Sequence, residues 1–206
     1  MDRRERLARA RLYFVTEVRP GLEELLAAAL GGGVDMVQLR DKSIPEDELL
    51  EAARIFRAAA DAHGALFWVN DRPELVAECG ADGVHVGQDD MPVEQVRELV
   101  GPDALIGLST HTPGQFDAAL GSEADQLSVG PVWETPTKEG RPAAGLAYVR
   151  HAAERGGERP WFAIGGITRG NVAEVTAAGA RRIVVVRAIR DAADPGAAAA
   201  ALRAAL

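Results

Sequence analysis

Ala81-Asp82-Gly83-Val84 is one of four related stretches, the others being Val34-Asp35-Met36-Val37, Ala124-Asp125-Gln126-Leu127 and Ala180-Arg181-Arg182-Ile183. Each leads from the end of a helical pattern into a short apolar strand. Asp35, Asp82, Asp125 and Arg181 are spaced 47, 43 and 56 residues apart. A recurring period of this size marks a repeated supersecondary unit. Each interval holds two strand–helix units, so the chain reads as roughly four double units. Eight βα units in one domain predict a closed (β/α)8 TIM barrel, with an open doubly wound sheet as the alternative.

Outward from the repeat, the strands read 12–15, 36–39, 66–69, 83–86, 105–108, 126–129, 161–164 and 183–186. Several are apolar on successive residues, as parallel strands covered on both faces should be. Helical patterns fall at 22–30, 46–62, 73–78, 93–100, 113–120, 146–154, 171–178 and 195–206. Glycines such as Gly31, Gly64, Gly80, Gly101, Gly121, Gly156 and Gly179 close most of them. The Arg-rich start carries Asp2 and Glu5 and lacks a signal-type apolar segment. Residues 1–10 therefore read as an exposed N-terminal tail, and 11–206 as the barrel.

At 206 residues and 47% hydrophobic, the chain has material for one well-cored domain. No apolar run reaches the ~18 residues of a membrane span, and a cytoplasmic protein without a membrane partner is expected. A net charge of −8 gives no global field to draw nucleic acid. The single Cys79 excludes an internal disulfide and a Cys-based zinc site. Of 23 basic residues only Lys42 and Lys138 are lysines. A chain that otherwise uses Arg and keeps Lys after two strand ends points to a need for a compact, mobile ammonium.

In a barrel, the chemistry gathers where the strands' C-terminal ends meet their loops. Those positions read Gln38-Leu39-Arg40-Asp41-Lys42, Asn70-Asp71-Arg72, Gly87-Gln88-Asp89-Asp90, Ser109-Thr110-His111, Thr135-Pro136-Thr137-Lys138, Gly165-Gly166 and Val186-Arg187. The opposite turns hold Gly, Ala and acids. The long loop from Ser128 to Gly145 is stiffened by Pro131, Pro136 and Pro142, and its hydroxyls, cations and amides suit an anion. Asp71 with Asp90 or Asp89 could supply the one or two carboxylates that Mg²⁺ takes, although both regions also stand where helix caps could. Arg40, Lys42 and Lys138 could neutralise a diphosphate, or form a salt-bridged rim. Gly165-Gly166, followed by Thr168-Arg169-Gly170-Asn171, suits a backbone phosphate cradle beside the eighth strand. Asn70 could read an amide-like or aminopyrimidine edge. His85 reads as a satisfied buried histidine and His111 as a candidate proton carrier, while Trp68 and Trp133 read as packing.

Six motifs stand in register at successive strand ends: Gln38-Leu-Arg-Asp-Lys42, Asn70-Asp-Arg72, Gly83-Val-His-Val-Gly-Gln-Asp-Asp90, Gly107-Leu-Ser-Thr-His111, Thr135-Pro-Thr-Lys138 and Ala163-Ile-Gly-Gly-Ile167. With them the chain resembles the thiamine-phosphate synthase family from about Leu12 onward. The resemblance implies a transferase that joins 4-amino-2-methyl-5-(diphosphooxymethyl)pyrimidine to 4-methyl-5-(2-phosphooxyethyl)thiazole, or to its carboxylated form. Two small phosphorylated molecules would be its substrates, Mg²⁺ its cofactor, and thiamine phosphate and diphosphate its products. Position by position, it implies that Gln38, Leu39, Arg40, Asp41, Lys42, Asn70, Ser109 and Lys138 hold the pyrimidine diphosphate. Thr135, Pro136, Thr137, Gly166, Val186 and Arg187 would hold the thiazole phosphate, and Asp71 and Asp90 the metal. Arg40, Lys42 and Lys138 would stabilise the leaving diphosphate. The family usually has Ser where this chain has Arg187, which leaves the backbone role in place and the side chain's role open. Related thiazole tautomerases share the Gly-Gly cradle but lack the Asn-Asp-Arg and Gln-Asp-Asp pair. Whether the chain forms a homo-oligomer is not encoded in any of these motifs.

Overall fold

The structure, a computed structural model, describes residues 2–135 and 142–206. Eight parallel strands close into a barrel in sequential order, with β8 returning to pair with β1. They are β1 Leu12–Thr16, β2 Met36–Leu39, β3 Leu66–Asn70, β4 Gly83–Val86, β5 Leu105–Thr110, β6 Gln126–Val129, β7 Trp161–Ile164 and β8 Ile183–Val185. The helices described are α1 Arg3–Arg9, α2 Leu22–Gly31, α3 Glu46–His63, α4 Val93–Val100, α5 Pro113–Ala119, α6 Gly145–Arg155, α7 Val172–Ala177, α8 Arg187–Arg190 and α9 Pro195–Ala204. The predicted closed barrel is the observed fold, as a single domain.

The near-continuous apolar runs are explained by two separate cores. Successive strand residues point to opposite faces. In β1, Leu12 and Phe14 pack outward under the helices, while Tyr13 and Val15 point inward. In β3, Phe67 and Val69 pack outward, and Leu66 and Trp68 inward. Both faces are therefore buried, and no polar alternation survives in the sequence.

The repeated aspartate caps the start of the preceding strand. Asp35 Oδ2 accepts from the Leu12 amide at 3.0 Å, Asp82 Oδ2 from the Phe67 amide at 2.9 Å, and Asp125 Oδ2 from the Ile106 amide at 2.8 Å. Strand-entry N–H groups would otherwise lose water without a partner. The fourth repeat carries Arg instead, and Arg182 donates to the carbonyls of Ala8 and Ala10.

Within the predicted tail, residues 3–10 are not an exposed extension. Residues 3–9 form α1, opened by a capping box in which Asp2 and Glu5 satisfy each other's backbone amides. Leu7 and Ala10 join Tyr13, Met36, Trp68 and Phe162 in the inner core, so α1 closes the floor of the barrel. Its arginines are fastened to the repeat: Arg3 and Arg6 bond Asp82 Oδ1 at 3.0 and 3.1 Å, and Arg4 bonds Asp125 Oδ1 at 3.0 Å. The sequence pattern hid this because only Leu7 of a charged heptapeptide is buried, with Ala10 at its C-cap. A second difference lies after β3, where the helical pattern of 73–78 becomes a 3₁₀ turn, Pro73–Leu75, followed by turns. Leu75, Val76 and Cys79 still bury their side chains there.

Candidate active site

The C-terminal rim encloses a cavity of about 340 Å³. One side is formed by Gln38, Arg40, Asn70 and Ser109, and the other by Thr135, Gly165, Gly166, Val186 and Arg187. Tyr13, His85 and Ser128 contribute from within the barrel, below the strand ends.

The floor is a polar layer built across three strands. His85 Nε2 lies 3.0 Å from Ser109 Oγ and 3.5 Å from Ser128 Oγ, and its Nδ1 is 2.9 Å from the Gln126 amide nitrogen. Register makes this possible, since His85 pairs with Gly107, and Gly107 with Gln126. A Cβ on Gly107 would stand 2.2 Å from Gln126 Nε2 and 2.4 Å from His85 Nδ1. The glycine is the space the layer occupies. Beside it, Gln38 donates its amide N–H to the Tyr13 hydroxyl, and burial pushes the Tyr13 phenol well above its ordinary value despite that bond.

The loop after β2 splits its residues by direction. Leu39 packs in the outer core and its side chain does not line the cavity. Asp41 turns back on its own loop, accepting from Ser43 N, Ser43 Oγ and Val18 N at 3.0, 2.7 and 3.3 Å. Burial acts to raise its pKa, but these bonds outweigh it and hold the carboxyl below the ordinary range. Lys42 reaches sideways, its Nζ 2.6 Å from Asp71 Oδ2.

Asp71 and Asp90 belong to the rim where β3 and β4 end. The Asp71 amide donates to the His85 carbonyl, and Asp90 Oδ2 accepts from the Gly87 amide at 2.7 Å. Neither caps a helix: α4 begins on Pro92 and the 3₁₀ turn on Arg72, each without a side-chain cap bond. Asp71 is also the one non-glycine residue with positive φ among the described residues, at 57°. Such a backbone is uncommon outside glycine, though Asp tolerates it better than most.

Opposite, Gly165 and Gly166 have φ of 103° and 71°. A Cβ at Gly165 would lie 2.5 Å from Pro131, and one at Gly166 2.7 Å from Trp133. The start of the β6 loop runs alongside this turn, Val132 N bonding Ile164 O and Trp133 N bonding Gly165 O at 2.8 and 3.1 Å. Thr135 is thereby delivered to the cavity wall. Asn171 supports the turn, accepting from Thr168 N and donating to Gly166 O. The short helix α8 was not visible in the sequence. Val186 is its N-cap and Arg187 its first residue; the Ile189 and Arg190 amides donate to the Val186 carbonyl, whereas those of Arg187 and Ala188 have no intrahelical acceptor, and both residues line the cavity with the glycines. Arg187 itself is exposed at the rim.

His111 does not line the cavity. Its Nδ1 is 2.6 Å from the Gly130 carbonyl, which can only accept, so the ring holds the β6 loop in place. Trp68 is fully buried in the inner core. Pro136, Thr137 and Lys138 lie outside the described residues. Tyr13 lines the cavity without having been anticipated, because it sits inside a strand whose sequence reads as core.

Strand-end polar groups, a glycine turn and an extra helix around one cavity define a (β/α)8-barrel enzyme acting on small molecules. Residues 12–189 match the family model described as thiamine monophosphate synthase, and the chain belongs to that family of transferases. It is 56% identical to the thiamine-phosphate synthase of Thermus thermophilus over 94% of this chain and 95% of that protein. It is 54% identical to that of Gloeobacter violaceus over 95% of this chain, which spans 57% of that longer protein. Among solved structures, thiamine phosphate pyrophosphorylase from Pyrococcus furiosus superposes with a TM-score of 0.87 at 32% identity, over 98% of this chain and 96% of that one. A 3-hexulose-6-phosphate synthase at 20% identity and TM-score 0.67 shares the barrel fold. Among the described residues, no helix is long and apolar enough to cross a membrane.

Proposed function

We propose that this chain is a thiamine-phosphate synthase, joining the aminopyrimidine diphosphate to the thiazole phosphate, or its carboxylated form, with release of diphosphate. The observation that carries the reading is that one cavity is lined by both sets of residues: Gln38, Arg40, Asn70 and Ser109 on one wall, Thr135, Gly166, Val186 and Arg187 on the other. Two substrates held side by side in one cavity give up their freedom before they react, and that positioning is a large part of the rate.

Each group then has a task its chemistry fits. Ser109 and Gln38, on the polar floor, hydrogen-bond the aminopyrimidine edge, with Asn70 above them. Arg40 and Lys42 meet the diphosphate, and Lys138 joins them from the β6 loop. The glycine turn and the α8 amides bind the thiazole phosphate through the backbone, which keeps that job open to Arg187 in place of Ser. Diphosphate departs first, assisted by electron donation from the aminopyrimidine, and the thiazole nitrogen captures the cation-like pyrimidine. Such a reaction needs charge stabilisation on the leaving group rather than a protein nucleophile. Cys79 fits that expectation, since burial first and then Glu78 and Glu46 push its thiol up to about 11. His85, whose second ring nitrogen faces the Gln126 amide rather than a carboxylate, is a poor activator of Ser109.

Asp71 and Asp90 suit Mg²⁺: two carboxylates on one rim, beside the diphosphate cations, with no helix-capping duty to keep them there. When bound, the ion would neutralise diphosphate oxygens as charge accumulates on them. The test is direct. Purified protein with both precursors and Mg²⁺ should yield thiamine phosphate and diphosphate. Absence of product, with thiazole phosphate still bound, would refute the assignment in favour of a binding protein.

A further inference from the structure

We propose that Lys42 is a built-in competitor for the metal at Asp71, so that filling the metal site and freeing this lysine for diphosphate are one event. The proposal rests on the reading of Asp71 and Asp90 as Mg²⁺ ligands. Lys42 Nζ stands 2.6 Å from Asp71 Oδ2, within a short charge-assisted hydrogen bond. Mg²⁺ needs a carboxylate oxygen at about 2.1 Å and tolerates little distortion of its octahedron. An ammonium already on that oxygen blocks it sterically and repels the incoming dication. For Oδ2 to serve the metal, one of the two cations has to leave, and at Oδ1 the ammonium still repels the dication.

The geometry decides which. Asp71 is fixed: its backbone sits at φ 57° and its amide is bonded to the His85 carbonyl at 2.9 Å. Lys42 is not, because its side chain is 60% exposed and can swing without disturbing any packing. A flexible stem with a point charge suits such an exchange better than a planar guanidinium. In a chain where Lys42 is one of two lysines among 23 basic residues, that choice gains a purpose. Arg40, two residues earlier, forms no ion pair with the described residues, so it is a cation of the same rim without the competing contact. By linkage, whatever lysine loses at Asp71 when metal arrives it can offer to the anion that arrives with the metal.

The test measures binding rather than turnover. Mn²⁺ and Mg²⁺ are titrated calorimetrically into the wild-type chain and into Lys42→Met, Arg40→Met and Asp71→Asn variants, each without substrate. Inorganic diphosphate is titrated separately. Lys42→Met should bind metal about 2- to 5-fold more tightly, the worth of an exposed ion pair, while binding diphosphate more weakly. Arg40→Met should weaken diphosphate too, but tighten metal by less than half as much. An unchanged or weaker metal affinity in Lys42→Met overturns the proposal, and so does an equal gain in Arg40→Met, which would reduce the effect to net charge. The underlying metal reading fails separately, taking the proposal with it, if wild type binds no metal or if Asp71→Asn leaves binding unchanged.

Discussion

Replacing Gly107 by Ala tests whether the polar floor of the cavity is as tightly specified as its geometry says. The added Cβ would lie 2.2 Å from Gln126 Nε2, 2.4 Å from His85 Nδ1 and 3.1 Å from Gln126 Cδ. Ordinary contact begins near 3.5 Å, so two buried side chains must each retreat by about an ångström into a packed interior. Overpacking of this kind costs about 1–3 kcal/mol, and separating His85 from Gln126 removes a hydrogen bond worth about 1 kcal/mol net. A total of about 3 kcal/mol corresponds to a Tm lowered by roughly 6–12 °C for a domain of this size. The assay is thermal unfolding of wild type, Gly107→Ala, Gln126→Ala and the double variant. Because Gln126 is what the methyl strikes, Gly107→Ala should cost at least ~1 kcal/mol less in the Gln126→Ala background. Gly83→Ala is the contrasting control, since its Cβ would meet the Leu105 carbonyl oxygen at 2.4 Å, backbone that no truncation relieves. A Gly107→Ala protein that melts within about a degree of wild type would refute the reasoning. Strict additivity in the cycle would place the strain elsewhere.

Three further outcomes are expected. Leu7→Ala should lower unfolding stability in urea by about 3 kcal/mol, because Leu7 is 2% exposed and fills the barrel floor; an unchanged midpoint would return residues 1–10 to the status of a tail. Burial acts to raise the Asp82 pKa, but the Phe67 amide, Arg57 and Arg3 outweigh it and hold the carboxyl below the ordinary range. Its contribution is therefore fully present above about pH 4, the unfolded value, and is lost as pH falls through the lower folded value. Tm measured against pH should show this loss in wild type and a flatter acid limb in Asp82→Asn; parallel curves would contradict it. Arg187→Ser should retain near-normal synthesis if α8 binds phosphate through its amides, whereas a large rise in the KM for thiazole phosphate would assign the guanidinium to the anion.

The barrel was legible because its period is long and its strands are buried on both faces. The predicted strands agree with the observed ones within two residues, β5 extending furthest, to Thr110. What escaped were elements too short or too charged to show a period: α8, at four residues, and α1, with Leu7 as its buried residue and Ala10 buried at its C-cap. The turn after β3 escaped for a different reason, since Pro73, Leu75 and Val76 carry a helix-like spacing that a 3₁₀ turn can also bury. At the site, Gln38, Arg40, Asn70 and Ser109 were readable as cavity residues because they stand at or near the strands' C-terminal ends, where a barrel gathers its rim. Tyr13 was not, because inside a strand a phenol looks like core. Leu39 shows the limit of carrying a motif over whole: alternation turns its side chain outward, which leaves only its backbone for the cavity.

The two faces of the barrel follow opposite rules. On the floor side, each repeated aspartate accepts from a strand amide and pairs with at least one arginine: Asp35 with Arg203, Asp125 with Arg4 and Arg97, and Asp82 with Arg3, Arg6 and Arg57. Carboxylates paired in this way have little spare valence for a ligand, and at the buried Asp82 removing one partner strands the others, so this face is committed to stability. On the rim side, Asp41 is likewise tied down by three hydrogen bonds, but Asp90 is held by a single bond to Gly87, and Asp71 by an exposed partner able to leave, Lys42. The one strained non-glycine backbone among the described residues, at Asp71, falls on this face. Strain and incomplete pairing cost stability and persist where surrounding structure enforces them. Here the enforcement is the saturated floor below. That division accounts for why the repeat aspartates, conspicuous in the sequence, are spent on the fold, while Asp71 and Asp90, outside the repeat, keep carboxylate oxygens for the metal site proposed above.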